Sequence, residues 1–421
     1  MTRREVANVC LLTAGQAVST LGDYVARVAV ALLVLERTGS ALQVGLVYVV
    51  LVAPNLFGLV GGPLVDRWSR RGTMIACDLL RAALVFALPR LARLHLGWTY
   101  PVMFLVTTLS AAFQPARLSL IPDLVRPQHV GRANAVDQIA DPVAAMLGFA
   151  LGGALVGAVG ADLAFYLDGG TFLVSAAAVS LLMPLVAEGA RARGRRGAFW
   201  AELGEGYAYV HRRPALWFNT LGMAPASMAI GAVDAMLLVF IADSLGLGAA
   251  WYGLLVALGS LGSVLAGAWL AAWGQRALSA PSLAILGGLC AHGTLVGVLT
   301  LLRGPAPLAL TMFVIGVVNM VWVTAARVLI QALTPPGLRG RVFGLKYGQA
   351  RPLNTVGAAL AGWLADAAGV RAPLAIAGAL IAGLGLAGWA WPAVRRTKAE
   401  AGRQAAAGQS HAAAGSGCGG V

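Results

Sequence analysis

Long apolar runs separated by short polar breaks fill this chain from about residue 8 to residue 393. Hydrophobic residues make up 59% of its 421 residues and charged residues 11%, whereas soluble proteins carry roughly 25% charged residues. About 20 consecutive apolar residues are enough to cross a bilayer as a helix. The sequence therefore predicts an all-α membrane protein, whose backbone polar groups are paired inside each helix.

The polar breaks divide the chain into twelve predicted transmembrane helices. They cover residues 8–35, 41–65, 73–91, 98–120, 133–158, 163–186, 214–242, 247–273, 281–302, 305–332, 342–368 and 371–393. The longest polar stretch predicts four units: an N-terminal six-helix bundle at 1–186, a cytoplasmic linker with an amphipathic helix at 187–213, a C-terminal six-helix bundle at 214–393, and a disordered tail at 394–421.

Basic residues predict the orientation of the chain in the membrane. If the N-terminus is cytoplasmic, the inner segments hold 20 Lys and Arg and the outer segments hold 5. Cytoplasmic loops carry such an excess, so we expect both termini in the cytoplasm and a location in the cytoplasmic (plasma) membrane. The same rule accounts for the net charge of +14 without a nucleic-acid partner.

The two halves of the chain resemble each other. Leu151-Gly-Gly-Ala-Leu and Leu360-Ala-Gly-Trp-Leu are 209 residues apart, as are Gly160 and Gly369 at the ends of the same helices. Parallel repeats of six helices are typical of secondary transporters, which bind their substrate between the repeats. No Gly-Lys-Ser/Thr phosphate-binding loop is present, so we do not expect ATP to drive transport directly.

A charged loop follows the second predicted span, on the cytoplasmic side: Gly62-Pro-Leu-Val-Asp66-Arg67-Trp-Ser-Arg70-Arg71. Its acid can accept hydrogen bonds at a helix N-terminus or pair with arginine, and so stabilise one state of an inner gate. The loop resembles the signature of the major facilitator superfamily. Residues Gly62, Asp66, Arg67, Arg70 and Arg71 match it, while Ser69 stands where the family has glycine. The equivalent loop of the second half keeps Gly267 and lacks the acid.

Further segments resemble the third drug:proton antiporter family, which includes macrolide, tetracycline and siderophore exporters. They are Gly22-Asp23, Thr38-Gly-Ser, Asp78-Leu-Leu-Arg81, Ile121-Pro-Asp-Leu-Val and Tyr166-Leu-Asp168-Gly-Gly-Thr-Phe172. The resemblance covers residues 8–395 and implies proton-driven export of an amphipathic, drug-like solute, with no cofactor or metal. Two features depart from related antiporters: Gly148 is followed by Phe149 instead of proline, and Arg117 lies near the inner end of span four.

Charged side chains at membrane depth are candidate proton or substrate groups, because placing them in lipid is costly. Asp23 and Arg27 are four residues apart on one helix face, where they form either a structural pair or a transport element. Asp137 and Asp141 lie one turn apart. Two neighbouring carboxylates favour holding a proton, unless Arg132 or another basic residue neutralises Asp137.

Other polar candidates lie in the second half. Asp234 has no basic residue within four positions, so we expect it to be protonated or paired across helices, and it is our preferred acid for proton or cation recognition. Asn319, Arg351 and Asn354 are also polar groups at depth, and Arg351 is a candidate partner for an acid of the first half.

Glycines of span five, Gly148, Gly152 and Gly153, predict close helix packing that allows one bundle to rock on the other. We expect the transporter to act as a monomer in the lipid bilayer. Proton-coupled uptake is the alternative to export. An intramembrane enzyme would need clustered catalytic or metal-binding groups, whereas the five histidines are scattered, and no polar ring typical of a channel is present.

Overall fold

The computed structural model describes residues 1–56, 69–183, 199–278 and 280–395, and these ranges are helical without a strand. The helices of the first half are α1 Arg3–Thr38, α2 Ala41–Val52, α3 Arg70–Leu94, α4 Thr99–Leu124, α5 Val130–Val159 and α6 Ala161–Ser180. They are followed by α7 Phe199–His211, α8 Pro214–Thr220, α9 Ala224–Val239, α10 Ala249–Ala277, α11 Pro281–Leu299, α12 Pro305–Leu333, α13 Pro336–Ala368, α14 Arg371–Ala390 and the short α15 Pro392–Arg395.

Local capping sets the ends of the first helix. Thr2 and Glu5 form a capping box, with the Glu5 backbone N–H donating to Thr2 Oγ1 at 3.3 Å, which starts α1 five residues before the predicted span. Gly39 ends α1 at a φ of +61°, a conformation that glycine adopts without strain. Ser40 then caps α2 by accepting from the Gln43 backbone N–H at 3.3 Å.

The seventh predicted span, 214–242, is not one continuous helix. Its chain forms α8, a turn at 221–223, α9, and a π-helical turn at Phe240–Ser244. Pro225 has no backbone N–H and cannot donate within a helix that continues from α8. The stretch Pro214–Ser244 is nevertheless apolar and long enough to cross a membrane, as predicted for this span, and the sequence Gly222-Met-Ala-Pro225 marks the break in its helix.

Nine helical stretches within the described ranges are long and apolar enough to cross a membrane. The helices α2, α3 and α13 are not among them. The helix α2 ends at Val52 and is followed by a 3-10 turn at Ala53–Leu56, after which residues 57–68 are not described, and α3 and α13 each carry several charged residues. The count of twelve spans and the boundaries of the four predicted units therefore stay predictions.

The helices pack as two bundles, α1 to α6 and α9 to α14. The α7 helix lies in the predicted linker and packs on α13. Its Tyr209 donates to the carbonyl of Leu333, the last residue of α12, at 2.7 Å. Two helix pairs, α2 with α13 and α5 with α10, make the main contacts between the bundles. Residues 184–198 and the tail from 396 lie outside the described residues, so the start of the linker and the predicted disorder are not assessed.

The helix ends define two faces of the molecule. One, here called the arginine-rich face, carries Arg70, Arg126, Arg339 and Arg395 at the ends of α3, α4, α13 and α15. The other, here called the opposite face, carries the α1–α2 turn and the end of α13.

Two glycine pairs bring the bundles together near the opposite face. A methyl group added to Gly153 of α5 would lie 2.8 Å from Gly253 Cα of α10, and one added to Gly362 of α13 would lie 2.8 Å from Leu42 Cα of α2. Gly45 faces Gly362 from the α2 side. Because Gly153 and Gly362 are 209 residues apart, the two contacts are equivalent positions of the repeat, and both need helices without side chains at the crossing.

We expect Gly153→Val to separate α5 from α10 and to lower the stability of the folded protein by about 1–3 kcal/mol, the usual cost of overpacking. The measurement is thermal unfolding of the purified protein in detergent. Gly170→Val is the matched control, since nothing lies within 4 Å of a Cβ added there. Equal melting temperatures for the two variants would contradict a close α5–α10 contact.

Candidate functional site

A cavity of about 900 Å³ lies between the two bundles and reaches toward the arginine-rich face. Its charged lining comes from the first bundle alone: Asp23, Arg27, Arg81, Asp141 and Asp168. The second bundle lines it with small and apolar residues of α10 and α12, such as Ser260, Ala271 and Met320. The wall that the second bundle adds is therefore uncharged, and recognition of charge in this space belongs to the first bundle.

A second compartment of about 450 Å³ adjoins the first, nearer the opposite face. Tyr24, Arg27 and Phe149 are among the residues that line both spaces. The second compartment holds a carboxylate, Asp234, and an amide, Asn319, and the rest of its lining is mainly apolar and aromatic, with Arg27, two serines and a histidine among it. The two spaces together are large enough for a drug-sized ligand.

Arg117 of α4 holds both carboxylates of α5. Its Nη2 lies 2.6 Å from Asp137 Oδ1, and its Nη1 lies 3.2 Å from Asp141 Oδ2. The side chains of Arg117 and Asp137 are buried at 1% and 6% exposure, whereas Asp141 is 39% exposed and lines the cavity. Thr20 of α1 donates to Asp141 Oδ1 at 3.4 Å. Asp141 is thus the member of this triad that solutes and protons can reach.

Asp137 is neutralised by a basic residue, as the alternative from the sequence allowed, but this residue is Arg117 and not Arg132. Arg132 is exposed, and Arg117 pairs with Asp137 instead. The tight turn between α4 and α5 folds the helices back on each other and brings residue 117 beside residues 137 and 141. The sequence shows Arg117 as the single arginine of its span. Its partners, Asp137 and Asp141, are 20 and 24 residues away, and no local sequence pattern identifies them.

A second buried ion pair joins Arg81 and Asp78 within α3. The Arg81 guanidinium lies 4.7 Å from the ring centre of Phe113 and 4.3 Å from that of Phe172, and it donates to Ser110 Oγ at 3.1 Å. These contacts offset the cost of burying the charge. They fix one cationic group in the cavity wall.

Asp23 and Arg27 do not form the ion pair that their spacing suggested. No ion pair joins them in the structure, and the Arg27 guanidinium lies instead over the ring of Tyr24, 4.6 Å from its centre. Asp23 faces the larger compartment, which Asp168 of α6 also lines, and Asp168 is only 1% exposed. The cavity therefore contains carboxylates, Asp23 among them, that form no ion pair with any arginine of the described ranges.

Asp234 is paired across helices, and its partner comes from the other bundle. The Tyr48 hydroxyl of α2 donates to Asp234 Oδ2 at 2.8 Å. The remaining carboxylate surface of Asp234 is open to the second compartment. Nothing in the local sequence of α2 marks Tyr48 as this partner.

The other polar candidates of the second half lie apart from one another. Asn319 lines the second compartment. Asn354 joins α13 to α9: in the amide orientation that satisfies its neighbours, its nitrogen donates to the Ser227 carbonyl at 2.6 Å. Arg351 is exposed, and no acid among the described residues pairs with it, so the suggested pairing with the first half is not seen. The reason is position: Arg351 does not line the space between the bundles.

The charged loop is described only from Ser69 onward, so Gly62, Asp66 and Arg67 lie outside the described residues. Arg70 pairs with Asp123 at the end of α4, at 2.6 Å. Arg71 donates to the Val179 carbonyl at the end of α6, at 3.1 Å, where the free carbonyls of a helix attract a cation. These two arginines tie the start of α3 to the ends of its neighbours.

The glycines of α5 serve two different contacts. Gly148 and Gly152 pack against the backbone of α1 at Leu21 and Val25, inside the first bundle. Gly153 faces α10 of the other bundle. Only the last of the three lies at a contact that must change if the bundles rock.

Two helical bundles that enclose a polar cavity define the class: a membrane transporter of solutes. The sequence model of the Major Facilitator Superfamily matches residues 12–347, so this chain belongs to that superfamily, and transport rather than enzymatic catalysis is its activity.

Known relatives agree with this assignment. The chain is 25% identical to the uncharacterised MFS-type transporter YfiS of Bacillus subtilis, over 91% of this chain and 93% of YfiS. It is 29% identical to the multidrug efflux pump Tap of Mycobacterium tuberculosis, over 89% and 91% of the two chains. A bacterial homologue of the human lysosomal transporter Spinster, solved in an inward-facing and unoccupied conformation, has the same fold, with a TM-score of 0.72, 15% identity and coverage of 95% and 99%.

Removing Arg117 should leave the buried carboxylate of Asp137 without its ion-pair partner. We expect Arg117→Leu to destabilise the protein by about 3–5 kcal/mol, because Asp137 would lose its partner in a buried site. Replacing both partners, as in Arg117→Leu with Asp137→Leu, should recover much of that loss. Thermal unfolding of the single and double variants in detergent measures the coupling.

The exposed pair Arg93–Asp162 is the control for this experiment. Arg93→Leu should change stability by about 1 kcal/mol or less, as is usual for surface pairs. If Arg117→Leu costs no more than Arg93→Leu, Arg117 does not hold a buried carboxylate.

Proposed function

We propose that this transporter exports an amphipathic, drug-like solute or secondary metabolite from the cytoplasm in exchange for protons, by alternating access. The observation that carries the proposal is Asp141, a carboxylate half paired with buried Arg117 and open to a cavity large enough for such a solute. The relative Tap is named as a multidrug efflux pump, which supports export over the alternative, proton-coupled uptake.

The location follows from the orientation predicted by basic residues. The arginine-rich face lies in the cytoplasm with both termini, and the membrane is the cytoplasmic one. The cavity then opens to the cytoplasm, where an exporter loads its solute. Aromatic rings of Tyr24, Phe113 and Phe149 in its wall suit the apolar part of the solute. The protein acts as a monomer in lipid and needs no cofactor or metal, since the proton gradient supplies the energy.

The net charge of Arg117, Asp137 and Asp141 couples the movement of protons to that of the solute in this proposal. Arg117 with two ionised carboxylates carries a net charge of −1, which is costly to enclose when the cavity closes. Either a proton on Asp141 or a positively charged part of the solute removes that net charge. The carrier therefore changes state with one or the other bound, and the proton and solute move in opposite directions.

Asp234 has a different role in this scheme. It stays bonded to Tyr48 in the conformation that is open to the arginine-rich face, and its free oxygen faces the second compartment. We assign it to recognition of the cationic part of the solute, with Asn319 as a neighbouring hydrogen-bonding group. Asp23, in the larger compartment, adds to the negative potential that attracts such a solute.

Proton-coupled efflux in everted vesicles tests the proposal. Vesicles with an acidified interior receive macrolides, tetracyclines, dyes and siderophores in turn. A substrate should collapse the pH gradient with the unchanged protein, and Asp141→Asn should abolish that collapse while solute binding remains. Asp162→Asn, an exposed residue away from the cavity, is the control and should behave as the unchanged protein does.

Two results would contradict this account of the coupling. A normal, pH-driven exchange by Asp141→Asn would remove Asp141 as the proton site. A protein that is shown to be inserted but leaves the gradient intact when the whole panel is added outside would favour uptake. Vesicles loaded with the solute would then reveal uptake as solute that leaves together with the protons.

Asp234→Asn should raise KM for cationic solutes about tenfold with an unchanged number of protons exchanged, since a hydrogen bond to a charged group contributes about 1.5–3 kcal/mol. Tyr48→Phe keeps the carboxylate and should change KM less. Initial rates of export against solute concentration measure both variants. Loss of proton exchange in Asp234→Asn, at full solute binding, would move the proton site from Asp141 to Asp234.

A further inference from the structure

Asp366, near the end of α13 in the second bundle, caps the N-terminus of α2 in the first bundle. Its Oδ1 lies 2.8 Å from the backbone nitrogen of Ala41, and its Oδ2 lies 2.8 Å from the Ser40 hydroxyl. The backbone nitrogen of Leu42 lies 3.4 Å from each carboxylate oxygen. Two effects favour a carboxylate at this place. The first N–H groups of a helix have no hydrogen-bond partner within the helix, and they carry a partial positive charge.

The contact lies beside one of the two glycine crossings that close the opposite face. Gly362, one turn before Asp366, lies against Leu42. Any movement that opens the opposite face must separate α2 from α13, and must therefore break the hydrogen bonds of Asp366. The hydrogen bonds between Asp366 and α2 therefore form only while the opposite face is closed.

The equivalent crossing has no such carboxylate. The residue 209 positions before Asp366 is Gly157 of α5. It faces the start of α10, where a Cβ added to Gly157 would lie 3.7 Å from the Ala250 backbone nitrogen. At both crossings, the N-terminus of one helix faces the end of a helix from the other bundle. Only the α2–α13 crossing has an acid, Asp366, at this position.

Local capping explains how the contact can be broken and remade. Ser40 Oγ accepts from the Gln43 backbone N–H within its own helix, so α2 keeps one cap when Asp366 leaves. Asp366 is exposed, and water can bind the freed N–H groups. The cost of opening is therefore moderate, which suits a contact that must form and break once in each transport cycle.

We propose that Asp366 is a positioning residue for transport: a one-sided latch that holds the opposite face closed by capping α2 across the two bundles. It does not touch the solute. It sets the balance between the state open to the arginine-rich face and the state open to the opposite face. The inference rests on the transporter fold and alternating access, and it holds whatever the solute and the coupling ion are.

Distance measurement between spin labels on the opposite face tests the latch directly. Leu94→Cys at the end of α3 and Leu301→Cys after α11 are suitable positions, since these side chains are 74% and 76% exposed. The four native cysteines are replaced, and the full chain is studied in lipid nanodiscs. Neither a solute nor a proton gradient is needed, so the result does not depend on the proposed solute or on proton exchange.

We expect Asp366→Ala to shift the equilibrium about tenfold toward the longer label distances of an open face, the effect of losing hydrogen bonds to a charged group. Asp366→Glu should restore most of the short distances. Asp243→Ala is the matched control: it lines the same surface pocket as Asp366 and makes no bond to α2. An unchanged distance distribution in Asp366→Ala would overturn the proposal.

A gain-of-function variant provides the second test. Gly157→Asp should create the missing latch at the α5–α10 crossing, and combined with Asp366→Ala it should return the label distances toward those of the unchanged protein. In transport, Asp366→Ala should lower the maximal rate more than it changes KM. If Gly157→Asp fails to restore the distances while Asp366→Glu also fails, Asp366 is a structural residue of α13 and not a latch.

Discussion

Backbone contact between the bundles at two glycine crossings decides the shape of this transporter. Each bundle packs around its own helices, and the bundles approach most closely where Gly153 meets Gly253 and where Gly362 meets α2. Since both crossings lie near the opposite face, the space between the bundles widens toward the arginine-rich face. The cavity, its two compartments and the capping of α2 by Asp366 all depend on that one-sided closure.

Charge is distributed unequally over the two bundles. The first bundle fixes arginines in its interior by pairing them with carboxylates and aromatic rings, as Arg117 and Arg81 show. The second bundle contributes an uncharged wall to the larger compartment and single acids at its contacts with α2, Asp234 and Asp366. In the proposed scheme, the group that binds the proton, Asp141, is therefore separate from the groups that join the bundles, Asp234 and Asp366.

The sequence predicts what depends on local pattern. Within the described ranges, apolar runs located most helix ends to within a few residues, and the two glycine crossings lie at positions that the repeat of 209 residues relates to each other. Contacts between distant residues were not predictable in this way: Arg117 with Asp141, Tyr48 with Asp234 and Asp366 with α2 each join residues on different helices. The break in the helix of span seven does have a local signal, Gly222 and Pro225. These residues lie within a continuous apolar run, which by itself indicates only one span.

Sided labelling of a cysteine in the cavity tests the central claim that the resting transporter opens to the cytoplasm. Ala271→Cys, in α10 at the cavity wall, is introduced into a chain without its native cysteines and treated with a membrane-impermeant maleimide. The account predicts rapid labelling in everted vesicles, whose cytoplasmic face is outward, and little labelling in right-side-out vesicles. Labelling from the right-side-out vesicles alone would contradict both the orientation of the chain and the closure of the opposite face.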